Sequence, residues 1–357
     1  MAGTDDTPAS RDTGQAREAG GRFGIFPALA CSLALIVVND KVSDIGYVRS
    51  EELRHVQPFE YPALARPLYL LERAVSGSIL GISLVNVVIC TVGALLMVIV
   101  LKDMGADASL WIGAPMLVLT GQNWDVLTAL TIALTLRAWQ RGDDIQSGLW
   151  LGIGTAFKLV PGVLLVPLLA TRQYRRVAVV AAAAAAVFVA SNLPLVLRNR
   201  SAWWYPYKFA QQRTDIRGAM WSGLPVRGEA LSIASALALI ACLVVIYAST
   251  VRGWIDFRTA CVLSILTFIV TNKVWQPHYV LWALPVLAIA RIPHRPVRAL
   301  EWTSLLFFAA LWRKHPAVHN AAFMWTTGGL RLIAAGVLIV VVVLQARGRE
   351  GLSTSAR

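Results

Sequence analysis

Between residues 23 and 344 the chain returns again and again to long stretches almost free of charge, and this recurrence limits its fold more than any other feature. The apolar runs fall near 23–38, 79–101, 106–120, 123–138, 148–170, 177–197, 229–249, 258–272, 279–290, 299–312 and 324–344. Runs of this kind partition into a bilayer, where every backbone N–H and C=O must find its partner within the protein, and a helix does so locally. Composition agrees, with 57% hydrophobic and 15% charged residues and a mean hydropathy of +0.60. A soluble domain carries about 25% charged residues. The expectation is an all-α, polytopic transmembrane helical bundle of about 10–12 membrane segments.

The flanks suggest three parts. Residues 1–21 are polar and read as a disordered cytoplasmic tail. Residues 22–346 form the transmembrane domain, with outer loops at 39–78 and 198–228, and residues 347–357 form a second cytoplasmic tail. The first run, 23–38, has no small-residue cleavage site at its end and reads as a retained helix rather than a signal peptide. Cys31, Cys90, Cys242 and Cys261 each lie inside an apolar run without CxxC spacing, so they read as small buried hydrophobes, with no metal or disulfide.

The net charge of +13 comes from basic residues that sit mainly between apolar runs. That is the positive-inside pattern of a membrane protein and argues against a nucleic-acid partner. With Arg11, Arg17 and Arg22 inside, the loop at 39–78 is outside, Lys102 inside, the turn GQNWD (121–125) outside, and Arg137 and Arg141 inside. The run 148–170 then decides the topology. It carries Lys158 at its centre and Pro161 three residues on. As one straight span it would put RQYRR (172–176), RIPHRPVR (291–298) and the Arg347/Arg349 tail outside. If the chain bends near Lys158–Pro161 and returns, all three clusters face the cytoplasm. Each arm is then about 11 residues, roughly 16 Å, which sets the bend near the middle of a 30 Å hydrocarbon core. Irregular backbone and a charge are tolerated at that depth only against protein or a water-filled cavity. The expectation is therefore a helix broken at Lys158.

In this orientation the remaining polar residues collect on the outer face. Asp44 follows the first helix at the mouth of the bundle, where a carboxylate could act as general base; Asp40 competes for that role, and on the residues alone a solvated loop acid is the more common case. Glu60, Tyr61 and Pro62 form a rigid EYP turn. Asn123 and Asp125 sit on the same rim, as helix caps or as functional groups. The segment 198–228 interleaves Arg198, Arg200, Lys208, Arg213 and Arg217 with Trp203, Trp204, Tyr205, Tyr207 and Phe209. It suits a phosphate with aromatic flanks, or an interfacial helix on lipid headgroups. In NKVWQPHY, Lys273 and His278 are carried by a proline-containing break, and such a pair suits a phosphate leaving group. Walker A, GxGxxG, HExxH, zinc-ligand and DxD patterns are absent, so neither a nucleotide, a metal nor another cofactor is expected, and the activated donor is expected to be a lipid. A transporter or lipid flippase is the rival class. Paired halves and coupling carboxylates within helices would mark it, and the acids here cluster in loops.

These pieces resemble, in order, the polyprenol-phosphate-sugar-dependent glycosyltransferases of the GT-C superfamily, in particular the actinobacterial mannosyltransferase-like family 87. SDIGYVRS…QPFEYPAL resembles the family's first loop with its YPPL-type turn. NWDVLTALTIALTLRAWQRGDDIQSGLWLGIGTAFKLVPGVLLVPLL resembles its central signature, which ends in Lys–x–x–Pro. FAQQRTDIRGAMW is similar to its aromatic–Arg–Trp loop, and NKVWQPHYVLWALP to its late SPQY-LW-LP hairpin. The chain departs from the pattern in YPAL for YPPL, in His278 where Gln is usual, and in its short length. The resemblance implies an inverting transfer of a hexose, commonly mannose, from a polyprenyl-phosphate donor to a lipid or glycan acceptor. The reaction would take place at the extracytoplasmic face of a bacterial plasma membrane, without a metal. It implies Asp44 as general base, with Lys158, Lys273, His278, Arg213, Asp125 and Tyr61 binding substrate or phosphate. A non-catalytic member of the same fold is the other implied possibility.

Overall fold

The computed structural model describes residues 48–49, 52, 59–213, 218–311 and 321–354, and over these it is helical with no strand. The expected tail 1–21, the expected helix 23–38, and Asp40 and Asp44 lie outside the described residues. The helices are α1 (Ala65–Val75), α2 (Ile79–Asp103), α3 (Ala114–Leu119), α4 (Asp125–Gln140), α5 (Asp144–Phe157), α6 (Leu165–Ala170), α7 (Tyr174–Arg198), α8 (Arg200–Gln212), α9 (Gly228–Val251), α10 (Phe257–Thr271), α11 (Val280–Ile289), α12 (His294–Ala310) and α13 (Ala321–Thr354). Among them α2, α7, α9 and the stretch Ala321–Gly348 of α13 are long and apolar enough to cross a membrane. Every residue of α11 is buried, and α4 and α10 are mostly so; these three form the centre of the bundle. In contrast α7 and α9 turn Val189, Leu237, Ile240 and Val244 outward, a surface suited to hydrocarbon and costly in water.

The break at Lys158 is present, and the chain returns. The N–H of Lys158 still bonds the Gly154 carbonyl at 2.8 Å, and there the α-helical ladder stops. Lys158 is extended (φ −151°, ψ 135°), and Pro161, which has no N–H to continue the ladder, opens a 3-10 turn over Val160–Leu164. The return is fixed by what meets α5. Arg176 pairs with Asp144 at 2.8 Å and donates to the Trp139 carbonyl at 2.9 Å. Gly148 and Gly152 lie against the backbone carbonyls of Val180 and Ala184, so closely that an added Cβ would stand 2.4 and 2.7 Å from them. Residues 144, 148 and 152 thus meet 176, 180 and 184, and α7 runs beside α5 in the same direction. The intervening chain has come back. The outward arm of 14 residues rises roughly 21 Å. The 3-10 turn and α6 recover roughly 19 Å. The outward arm is longer than the 11 residues expected, because α5 begins at Asp144 with Asp143 as its cap, whereas the return arm Val160–Ala170 has the expected length.

The basic clusters share one face. Arg137 and Arg141 bond Asp103 at the end of α2, Arg172 bonds the Val251 carbonyl, Arg291 bonds the Gly105 carbonyl, and Gln345 bonds the Arg291 carbonyl. The opposite face holds α1, the turn 121–124, α8 and the segment 272–279. Three details differ from the expectation. The run 106–120 is a 3-10 turn (Ala108–Leu110) followed by the six-residue α3, entered through Gly105 at φ 62°. The segments 39–78 and 198–228 each contain a helix, α1 and α8. Finally, α13 continues to Thr354, past residue 346.

Candidate active site

The turn before α4 begins the site. The side-chain carbonyl of Asn123 accepts the Asp125 N–H at 2.9 Å, so Asn123 closes the turn and starts the helix. That frees the Asp125 carboxylate from capping. It sits in the first turn of α4, 1% exposed, where the helix dipole favours a negative charge. Its Oδ1 accepts the Lys158 ammonium at 2.5 Å and the Trp282 indole N–H at 2.7 Å. Lys158 also donates to Asn123 Oδ1 at 3.1 Å. His278 brings Nε2 to 3.3 Å from Asn123 Nδ2 and 3.3 Å from Asp125 Oδ2, the latter at ion-pair distance without hydrogen-bond alignment. The ring nitrogen thus faces both the Asn123 amide and the Asp125 carboxylate.

Aromatic rings enclose this cluster. The Lys158 ammonium lies 5.7 Å from the Tyr61 ring and 5.5 Å from the Trp282 ring, within reach of cation–π attraction. Tyr279 stacks on Trp282 at 3.9 Å, and His278 stands edge-on to Tyr279. Behind the cluster, fully buried Trp124 meets Tyr61 on one side and Phe157 on the other, both edge-on at 5.2 and 5.8 Å. Its indole N–H donates to Glu72 Oε1 at 2.8 Å. Burial pushes the Glu72 carboxyl up to about 7, against the opposing pull of the Trp124 bond.

The structure therefore brings together Tyr61, Asp125, Lys158 and His278 from four separate stretches of sequence. Lys158 keeps its side chain 13% exposed while its carboxylate partner is sealed. Each ion loses several kcal/mol of hydration on burial, which mutual attraction at 2.5 Å and the added hydrogen bonds offset. The cluster has no net charge while His278 is neutral. Lys273 and Arg213 point elsewhere. Lys273 donates to the Gln211 carbonyl at 2.5 Å and to the Ser232 hydroxyl at 2.7 Å, tying the end of α8 to α9. Arg213 lies over the ring of Phe209 at 5.8 Å. In the first expected loop, Glu52 pairs with Arg49 at 2.8 Å and with Arg73, and accepts the Tyr69 hydroxyl, which fastens this stretch to α1.

Three buried ionisable groups, Glu72, Glu301 and Arg331, are not among the candidates that the sequence offers. Glu72 lies in the segment 39–78, where it reads as one more acid of an outer loop. Arg331, within the run 324–344, is fully buried between the rings of Trp275 (4.2 Å) and Phe307 (4.1 Å) and donates to the Gly218 and Trp275 carbonyls. An ionisable residue inside an apolar run is itself a signal, and it marks Arg331 as it marks Lys158. Among the described residues no three His, Cys, Asp or Glu side chains are grouped to hold a metal ion.

Comparison with known proteins gives this geometry a context. Residues 59–225 match the model of glycosyltransferase family 87. That stretch includes Tyr61, Asp125, Lys158 and Arg213. No curated protein sequence matches the chain. Among solved structures, the fold is similar to that of ArnT from Cupriavidus metallidurans bound to undecaprenyl phosphate. The TM-score is 0.50 at 13% identity, over 94% of this chain and 77% of that one. The family match spans a little under half of the chain, and at 13% identity the structural likeness is one of fold.

Proposed function

We propose that the protein transfers a hexose, mannose by preference, from a polyprenyl-phosphate donor to a lipid or glycan acceptor on the extracytoplasmic side of a bacterial plasma membrane. The observation that supports this most is the Asn123–Asp125–Lys158–His278 cluster. It is a cation held at a helix break, with one side open and aromatic rings around it. The solved relative was crystallised with undecaprenyl phosphate, a ligand of the class this arrangement suits.

In this reading Asp44 takes the proton of the acceptor hydroxyl. The hydroxyl oxygen then attacks the anomeric carbon from the face opposite the phosphate. The bond from that carbon to the phosphate oxygen breaks, its electron pair leaves with polyprenyl phosphate, and the configuration inverts. Negative charge grows on the leaving phosphate, and a fixed cation in a partly dry site stabilises it more than water would. Lys158 supplies that cation from its exposed side while it stays paired with Asp125, and His278 supplies a second donor when it binds a proton. No metal is required in this scheme.

The test is to give proteoliposomes of the full chain radiolabelled polyprenyl-phosphate mannose together with a lipid extract. Label should move to a lipid or glycan and stop moving in D44N. Undiminished transfer by D44N overturns the base assignment. Consumption of no donor by wild-type protein overturns the donor class.

A further inference from the structure

The cluster around Lys158 is held from behind by one residue that no part of the scheme uses. Glu72 lies in α1, outside the membrane-spanning helices, and is fully buried. Its Oε1 accepts the indole N–H of Trp124, while Oε2 is buried without a hydrogen-bond partner. Trp124 is flanked in sequence by Asn123 and Asp125, the two residues whose side chains accept from Lys158. In space it is wedged between Tyr61, whose ring lies over the Lys158 ammonium, and Phe157, the residue before Lys158. The indole thus touches, by sequence or by packing, every wall around that ammonium except Trp282. Its one hydrogen bond goes to Glu72. A buried indole N–H without that acceptor would be unsatisfied, and the ring would be free to tilt.

We propose that Glu72 is a positioning residue. By fixing the plane of Trp124 it holds Tyr61, Asn123, Asp125 and Phe157 in register around the Lys158 ammonium. The consequence for glycosyl transfer rests on the reading of that ammonium as the phosphate partner; the positioning itself does not. The acceptor oxygen is what matters, so Gln at this position serves as Glu does and Ala does not.

The test reads Lys158 directly and needs no substrate. The full chain in nanodiscs is reductively methylated with formaldehyde, and modification at each lysine is followed by mass spectrometry. E72A should speed modification of Lys158 roughly tenfold, the factor carried by the loss of one hydrogen bond of about 1.4 kcal/mol. E72Q should keep the wild-type rate. W124F should match E72A, and the double substitution should go no further, because both remove the same bond. Lys273, held on α8 and α9, is the internal control and should not change. Three results overturn the proposal: an unchanged Lys158 rate in both E72A and W124F, multiplied effects in the double substitution, or Lys273 rising together with Lys158. If E72A does not fold, W124F and E72Q carry the same comparison. Absence of transferase activity would count against the proposed function while leaving this result intact.

Discussion

After α5 and again after α10 the chain follows the same course. An extended residue ends the helix, Lys158 in one case and Asn272 in the other; a 3-10 turn with a proline at its start follows, and then a short helix. A lysine stands at each break. Lys158 meets a sealed carboxylate at 2.5 Å, and Lys273 meets a backbone carbonyl and a hydroxyl. That difference separates two uses of a buried cation. A carbonyl and a hydroxyl satisfy the ammonium with fixed dipoles and join two helices, so the second lysine works as a rivet. A buried carboxylate holds the ammonium charged and in place, while Lys158 keeps one side 13% exposed. In the proposed function the first lysine waits in this pair until the donor phosphate arrives.

The largest effect should come from breaking the first pair from one side. K158M leaves Asp125 as an uncompensated buried charge, and the expected loss is about 3–5 kcal/mol of stability, seen as a fall in the thermal unfolding midpoint in detergent. D125N/K158M should recover most of it. A K158M protein as stable as wild type would break the comparison, since Lys158 would then be no better paired than Lys273.

The support behind the first break should titrate. The folded Glu72 carboxyl sits at about 7 against an ordinary value of 4.5, so the fold favours its protonated form. Its contribution is greatest below pH 4.5, declines as pH rises toward 7, and is level above that; the whole span is about 3 kcal/mol. The check is the unfolding midpoint of wild type minus that of E72Q, followed from pH 4 to 8. The difference should fall with pH and then flatten.

The second break should respond less and without rescue through an acid. K273M removes two hydrogen bonds from a cation and is expected to cost about 1–3 kcal/mol, also read from the unfolding midpoint. Removing the Ser232 hydroxyl in S232A should cost less, about 1 kcal/mol. Effects equal to those of K158M would erase the distinction between pair and rivet.

Much of the fold is legible in the sequence, and the reasons are physical. Hydrocarbon forces helices onto apolar runs, and the basic clusters at 172–176 and 291–298 can share a face with Arg137 only if 148–170 turns back. The charges thus imply the break at Lys158. What Lys158 touches is not legible. Asp125 lies 33 positions away, and no local rule tells whether it caps α4 or pairs with a lysine. In the structure Asn123 accepts the Asp125 N–H across the turn before α4, and the Asp125 carboxylate meets Lys158. Lys273 and His278 stand five residues apart in one motif and invite pairing. The turn at Pro277 sends His278 toward Asn123, whereas Lys273 reaches the end of α8. Glu72 was hidden by its setting, an acid among bases near a loop. Only the contact with Trp124, 52 positions on, shows that it faces inward.

The central claim is that the Asp125–Lys158 pair is where the donor phosphate is met. The most direct measurement is transfer of label from polyprenyl-phosphate mannose by wild-type, D125N/K158M and K273M proteins, each in proteoliposomes and each shown to be folded. The account expects D125N/K158M to lose about a hundredfold or more in transfer rate, with K273M close to wild type. Transfer by folded D125N/K158M at the wild-type rate would contradict it.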